Sequence, residues 1–207
     1  MVKVSAPALS IDASGTLANS MVFSKWKGRN YVRSHVMPSQ PRTGSQVGVR
    51  AMFKFLSKHW TNVATVDRAT WDALAKAAST SPFNQYMKAN QARWRNFLAP
   101  SEAHPAAEAS TAPSAPTGVA TAGVRQISLA LTHGANAANF GMMIFRGTAA
   151  PTPAFSNCVQ VVAVNGAGDA TWVDTPLEPG TYHYKAIGFM KDGKIGTASA
   201  DIQGTVT

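Results

Sequence analysis

A stretch rich in proline, alanine and serine, residues 99–117, separates two parts of the chain whose apolar residues recur with different periods. Before it, apolar residues recur every three or four positions, which is typical of helices. After it, short β-prone runs alternate with turn residues, which is typical of strands. The stretch itself has the composition of a semi-extended linker. We therefore predict a domain of residues 1–98, a linker of residues 99–117 and a second domain of residues 118–207.

The start of the chain predicts an extended arm followed by a β-hairpin. Residues 1–20 are low in large apolar side chains, so we expect an arm that orders mainly on binding to a partner. Two β-prone runs flank Gly28, which predicts a hairpin through residues 25–30 with this glycine in the turn.

Three helices are predicted after the hairpin. Helical spacing of apolar residues indicates them over residues 46–60, from residue 65 to before Ser81, and over about residues 82–98. On the first helix a second face carries Arg50, Lys54 and Lys58 at four-residue spacing, which predicts a basic ridge. We expect the tryptophans of the three helices to close an aromatic core, so the first domain is predicted as an α+β module, a hairpin plus short helices.

The second domain has the pattern of an all-β sandwich. Turn residues rich in glycine or proline separate seven short candidate strands, residues 119–122, 126–132, 141–146, 159–164, 170–174, 181–190 and 195–202. Seven short strands in about ninety residues are typical of a two-sheet sandwich.

The second domain carries a Leu-x-Pro-Gly-Thr motif at Leu177, Pro179, Gly180 and Thr181, just before Tyr182 and Tyr184. With this motif as a sheet corner, residues 115–119 as the opening and residues 127–131 as the second strand, the domain resembles a fibronectin type III module. The resemblance implies a fibronectin type III or immunoglobulin-like sandwich with the leucine and one of these tyrosines packed at the sheet corner. The chain departs from the family pattern at residues 131–133, where such modules usually carry a tryptophan.

A second recognisable pattern lies in the first domain, in residues 14–16, 23–33 and 41–43 and at single positions that include Pro38, Gln46, Arg50, Trp71, Phe83, Asn84 and Asn90. Over about residues 12–97 this pattern resembles a family of virion proteins encoded by tailed phages and prophages. It implies a virion structural component, made in the host cytoplasm and located in the virion. The family supplies no established catalytic or binding residues.

The positive charge belongs to one part of the chain. Residues 1–100 carry fourteen Lys and Arg against three Asp and Glu, whereas residues 101–207 carry five against seven. Such a field favours an acidic partner, a nucleic acid or an acidic protein surface, although it also fits a domain kept monomeric by self-repulsion.

The residues that catalysis needs are sparse. The five histidines are scattered without the spacing of a zinc site, and neither phosphate-binding glycine motif occurs. The single cysteine, Cys158, excludes an intrachain disulfide, and we expect a buried, inert thiol. No run approaches the ~20 apolar residues of a membrane span. We predict a soluble protein that is not an enzyme, with no cofactor, no metal and no membrane partner.

The remaining candidates for a binding surface are basic residues interleaved with aromatic ones. The candidate partner-binding residues are Lys25, Trp26, Lys27, Arg29, Tyr31, Arg33, Arg42 and Arg50. Cations mixed with aromatic rings bind single-stranded nucleic acid, whereas arginines also bind carboxylates of an acidic protein lattice, and such residues also occur on an ordinary solvated face.

The sequence therefore favours a phage virion structural protein, a head decoration or auxiliary capsid protein. We expect it to dock on other virion proteins in a multi-copy assembly through its basic half and to project the sandwich. The alternatives are a neck, tail or fibre-attachment component, a nucleic-acid-binding protein, and an adhesive module that binds host sugar or protein through sandwich loops.

Overall fold

The structure is a computed structural model that describes residues 15–18, 20–26, 29–37 and 42–207. The chain divides into two compact units, Met1–Pro41 and Arg42–Thr207. Within the described residues, no helix is both long enough and apolar enough to cross a membrane.

The first unit contains an antiparallel sheet of β1 (Gly15–Leu17), β2 (Met21–Trp26) and β3 (Arg29–Ser34), in that order. Lys25 pairs with Asn30 and Trp26 with Arg29, which confirms the predicted hairpin. The residues between the two strands, including Gly28, lie outside the described residues, as do residues 1–14 of the predicted arm.

Three helices open the second unit, as predicted: α1 (Gly44–His59), α2 (Thr65–Ala77) and α3 (Pro82–Arg95). A short 3-10 turn, Trp60–Asn62, follows α1. The start of α3 is set by its sequence, because Pro82 suits the first helical position and the Ser81 Oγ accepts a hydrogen bond from the Asn84 N–H at 3.2 Å.

Eight antiparallel strands make up two sheets in the rest of the described second unit. The smaller sheet has the order β4-β5-β8 and the larger one the order β10-β9-β6-β7, with β11 also paired to β9. Their bounds are β4 Thr117–Gly123, β5 Gln126–Thr132, β6 Gly141–Gly147, β7 Cys158–Ala163, β8 Ala170–Asp174, β9 Gly180–Phe189, β10 Ile195–Ala198 and β11 Ile202–Val206. Six of the seven predicted strands are confirmed, and the seventh is divided into β10 and β11.

The interior of the sandwich is formed by alternate residues of facing strands. In β5, Ile127, Leu129 and Leu131 are buried and their neighbours are exposed, the pattern of a strand with one wet face. They share one apolar cluster with Met142 and Ile144 of β6 in the larger sheet. The two sheets therefore pack face to face as a sandwich.

The larger sheet is covered on its other face by the helices. Met143 and Phe145 of β6 are buried in a second cluster with Met52, Trp71 and other helix residues. Because β6 is buried on both faces, it reads as a continuous apolar run instead of an alternating one. The predicted aromatic core of the helices is thus continuous with the outside of the sandwich.

The structure corrects the predicted division at residues 99–117, because this stretch is packed in its first part and separates no domains. Ala99, Ser101 and Glu102 are buried. Asn90 on α3 holds the Ser101 backbone with two hydrogen bonds, and the Glu102 N–H donates to the Lys191 carbonyl at 2.8 Å. Small side chains let the stretch lie between the helices and the turn after β9. The boundary between the two compact units therefore lies between residues 41 and 42, and residues 1–98 do not form one module.

Candidate functional site

The predicted binding residues fall into two groups, one in each unit. Strands β2 and β3 carry the first group. The register pairs Val22 with Arg33 and Ser24 with Tyr31, so Tyr31 and Arg33 share one face of the hairpin, and Lys25 lies on the other. Tyr31 is 42% exposed. Trp26 and Arg29 are paired in the register, and Lys27 lies outside the described residues.

Arg42 and Arg50 belong to the second unit, at the start of α1 and on its exposed side. The predicted basic ridge of α1 is confirmed, because Arg50, Lys54 and Lys58 are all exposed. The opposite side of α1 is buried against the larger sheet through Met52, Phe55 and Leu56. The ridge therefore runs along the outer border of the contact between helix and sheet.

A groove lies between this ridge and β7. Its wider part has a volume of about 330 Å³ and is bordered by Lys54 and Lys58 on the helix and by Gln160 and Val162 on the strand. A second hollow of about 290 Å³ also touches Lys54 and Gln160 and continues to Arg50 and Arg42. The two hollows thus form one groove along α1, which we call the α1–β7 groove.

Two glycines bring the start of α1 close to the chain before β7. A β-carbon at Gly44 would lie 1.8 Å from the Ser156 carbonyl oxygen, and one at Gly48 would lie 2.9 Å from that of Phe155. The Gly48 carbonyl also accepts a hydrogen bond from Trp94 Nε1 at 3.2 Å. These contacts fix the direction of α1 relative to β7, and with it the position of the ridge.

The positive charge of the groove is not neutralised by carboxylates of the described residues. No Asp or Glu occurs between residues 42 and 66, and residues 147–168, which include β7, contain no charged residue. Within the described residues the ion pairs involve other cations, so Arg42, Arg50, Lys54 and Lys58 have no carboxylate partner there. Four exposed cations along one groove attract an anionic partner.

A buried charged cluster supports the helix behind the groove. The Glu102 carboxylate is 2.6 Å from His59 Nε2 and 3.3 Å from Lys191 Nζ. The backbone carbonyl of Glu102 accepts a hydrogen bond from Trp71 Nε1. Burial alone would raise the pKa of Glu102, but the hydrogen bond from His59 and the charge of Lys191 outweigh it and lower this pKa. The cluster ties α1 and α2 to the turn after β9, which is a structural role.

A second cluster lies inside the sandwich. Asp174 accepts hydrogen bonds from Arg146 Nη1 at 2.7 Å and from the buried Tyr184 hydroxyl at 2.9 Å. Burial and the Asp174 charge raise the pKa of Tyr184. The Tyr182 hydroxyl instead donates to the Glu178 carbonyl at 3.0 Å. A tyrosine bonded to backbone a few residues upstream is the form of a tyrosine corner, so Tyr182 is the residue in that position.

The described residues show no cluster built for metal binding, since no group of three His, Cys, Asp or Glu is placed to hold an ion there. Cys158 is buried, as predicted, and burial raises the pKa of its thiol to about 12. A thiol with such a pKa is a poor nucleophile at neutral pH.

Sequence reasoning did not place Lys54, Lys58 and Gln160 among the binding residues. The four-residue spacing of the two lysines was a usable signal, since it already predicted the ridge. Gln160 had no such signal, because its position beside α1 depends on the order of the strands.

No protein-family model matches the chain, and no curated protein matches it in sequence. The solved structures that are similar in part include the following two. The first is a β-1,2-glucanase from Parabacteroides distasonis, with 17% identity, a TM-score of 0.38, and coverage of 46% of this chain and 13% of the glucanase. The second is the chicken interferon gamma receptor alpha chain, with 15% identity, a TM-score of 0.37, and coverage of 48% of this chain and 53% of the receptor. The chain thus spans 13% and about half of these two proteins.

Proposed function

We propose that this protein is a structural component of a phage virion that docks on acidic surfaces of other virion proteins. Head decoration is the proposed location. The basic side chains of residues 25–58 make the docking contacts, and the sandwich is carried outward as a compact module fixed to the helices.

One observation carries the docking proposal. The cations of the α1–β7 groove have no carboxylate partner within the described residues, although other cations of the second unit do: Arg93 pairs with Glu108, and Arg146 with Asp174. Exposed charges left without a partner along a groove are suited to a partner of opposite charge. Arginine also makes bidentate contacts to carboxylates, which gives such docking a defined geometry.

We further propose that the sandwich is a fibronectin type III-like module. Three features support this: a three-stranded sheet that faces a larger one, the Tyr182 hydroxyl bonded to backbone at the sheet corner, and the buried Leu177. Unrelated proteins share such a fold and differ in function, so this fold alone assigns no activity.

Co-sedimentation tests the docking proposal. Purified protein is mixed separately with empty phage heads and with DNA-free tails, at low and at high salt. Saturable binding to heads supports head decoration, whereas binding to tails alone moves the protein to the neck or fibre attachment. Binding to neither particle contradicts the proposal.

A nucleic-acid-binding function is the second candidate, and one observation favours it. Tyr31 and Arg33 are exposed on the same face of the hairpin, where a base can stack on the ring while the guanidinium contacts phosphate. Binding of that kind falls steeply with salt, since counterions are released from the phosphates. A single-stranded oligonucleotide that binds tightly while both particles fail to bind would establish this candidate in place of docking.

A further inference from the structure

The α1–β7 groove has a feature that a merely basic patch lacks, which is an open edge of a β-sheet. β7 is the last strand of the larger sheet, and among the described strands it pairs with β6 alone. An edge strand offers backbone N–H and C=O groups to an added strand. The groove that borders residues 160–163 gives an extended segment room to reach this edge.

The two ends of β7 differ in how open they are. Near Cys158 the pairing with β6 is shifted, because Ile144 pairs with Gln160 and Phe145 with Cys158, which leaves Val159 as an extra residue. Such a bulge interrupts regular pairing and is a common protection of sheet edges. Residues 160–163 pair with β6 without a shift. The regular part of the edge is thus the part that lies beside Lys54 and Lys58.

The spacing of the ridge matches that of an extended strand. Successive cations on α1 are four residues apart, or about 6.0 Å, since a helix rises about 1.5 Å per residue. Alternate residues of a strand point to the same face and lie about 6.6–6.8 Å apart. Acidic side chains at every second position of a strand beside β7 would therefore meet Lys58, Lys54 and Arg50 in turn.

We propose that the α1–β7 groove binds an extended acidic peptide segment, which adds a strand to the edge of β7 and places alternate carboxylates on Arg50, Lys54 and Lys58. The segment takes the place of the Gln160 Oε1 atom, which accepts a hydrogen bond from the Val161 N–H at 3.2 Å. This inference rests on the proposed docking function and names the chemistry of the partner.

The lining of the groove favours a peptide over single-stranded nucleic acid. Its aromatic residues are Phe55, which is 6% exposed and packed in the core, and the half-buried His59, whose ring contacts Phe55 and Phe140. Neither offers a free face for base stacking, which provides much of the binding energy for single strands. The open backbone edge of β7, in contrast, is a recognition element for an extended peptide.

The test is fluorescence anisotropy with the full-length protein and short labelled peptides. The probe is a seven-residue peptide with Glu at positions 2, 4 and 6 and Thr or Val between them. A peptide of the same composition with its three Glu adjacent serves as the control for spacing. Two further peptides carry N-methyl groups on the Glu residues or on the residues between them. Because N–H groups alternate between the two sides of a strand, only one of these two methylations blocks pairing with β7.

We expect the alternating peptide to bind and the adjacent-Glu peptide to bind about tenfold more weakly, a difference of about 1.4 kcal/mol. One methylated peptide should retain binding and the other should lose it. The variant Lys54→Glu with Lys58→Glu should lose binding, whereas the matched variant Lys76→Glu with Lys88→Glu, which changes the same charge at exposed sites on α2 and α3, should retain it.

Equal binding of both methylated peptides would refute strand addition, and equal binding to both charge-reversal variants would refute the groove as the site. An oligonucleotide that binds in the groove while the peptides do not would assign it to nucleic acid. If the peptides fail but particles still bind the wild-type protein, this inference is wrong and the docking function stands. If no particle binds while the peptides do, the docking function is wrong and the groove remains a peptide site.

Discussion

Asn90 offers a direct test of how the helices are joined to the sandwich. Its side chain is fully buried on α3 and makes two hydrogen bonds to the backbone of Ser101, one from Nδ2 to the carbonyl at 3.0 Å and one from the N–H to Oδ1 at 2.8 Å. The substitution Asn90→Ala removes both bonds. It leaves a buried N–H and a buried C=O without partners and opens a small cavity.

The expected loss of stability follows from these groups. A buried polar group left unpaired costs about 1–3 kcal/mol, so the two groups together cost about 2–6 kcal/mol, to which the small cavity adds. Domains are stable by about 5–15 kcal/mol, so this is a large fraction of the total. With a urea dependence of about 2 kcal/mol per molar, the unfolding midpoint should fall by about 1–3 M.

Urea unfolding followed by far-ultraviolet circular dichroism and by tryptophan fluorescence measures the change. The matched control is Asn96→Ala, an exposed asparagine at the end of α3, which should change stability by about 0.5 kcal/mol or less. A loss of less than about 1 kcal/mol for Asn90→Ala would show that residues 99–102 are held only loosely, contrary to the buried hydrogen bonds of Asn90.

Three further predictions concern single residues. Because the pKa of Glu102 is lowered, its ionised form stabilises the fold above its unfolded-state pKa, and this contribution is lost as pH falls through the folded-state pKa. Glu102→Gln should therefore reduce the slope of the unfolding free energy against pH in the acid range, and an unchanged slope would contradict this role of Glu102. Gly44→Ala should destabilise the protein in thermal unfolding, because its β-carbon meets the Ser156 carbonyl, whereas Gly166→Ala, with open space around it, should not; equal effects would show that α1 does not approach this carbonyl. Cys158 should resist a thiol reagent at pH 8 in the native protein and react once the protein is unfolded in guanidinium chloride, since burial raises its pKa to about 12; rapid native reaction would place this thiol at the surface.

Elements with strong local signals could be predicted from the sequence. The three helices follow from apolar residues at helical spacing and from Pro82 at the start of α3, and most strands follow from β-prone runs between turn residues. The corner around Leu177 was also visible as a motif, although only the hydrogen bond from Tyr182 to Glu178 decides which tyrosine occupies it.

The packing of residues 99–102 could not be predicted, because the contacts that hold it are distant in sequence. Lys191, whose backbone carbonyl accepts the hydrogen bond from the Glu102 N–H, lies far along the chain. A segment rich in alanine, serine and proline also has the same composition whether it is a flexible linker or is tightly packed. The α1–β7 groove was missed for a similar reason. Arg42 and Arg50 stand near the hairpin in sequence, but they belong to the unit that contains β7.

Site-specific photo-cross-linking on assembled particles tests directly whether the α1–β7 groove contacts another protein, as proposed. A photoreactive amino acid replaces Asn62, an exposed residue that borders the groove, or Val119, which is 66% exposed on β4 of the other sheet. With the proposed docking function, the probe at position 62 should cross-link to an acidic segment of a second protein of the particle, and the probe at position 119 should not. Cross-links from position 62 to nucleic acid, or equal cross-linking from both positions, would contradict it.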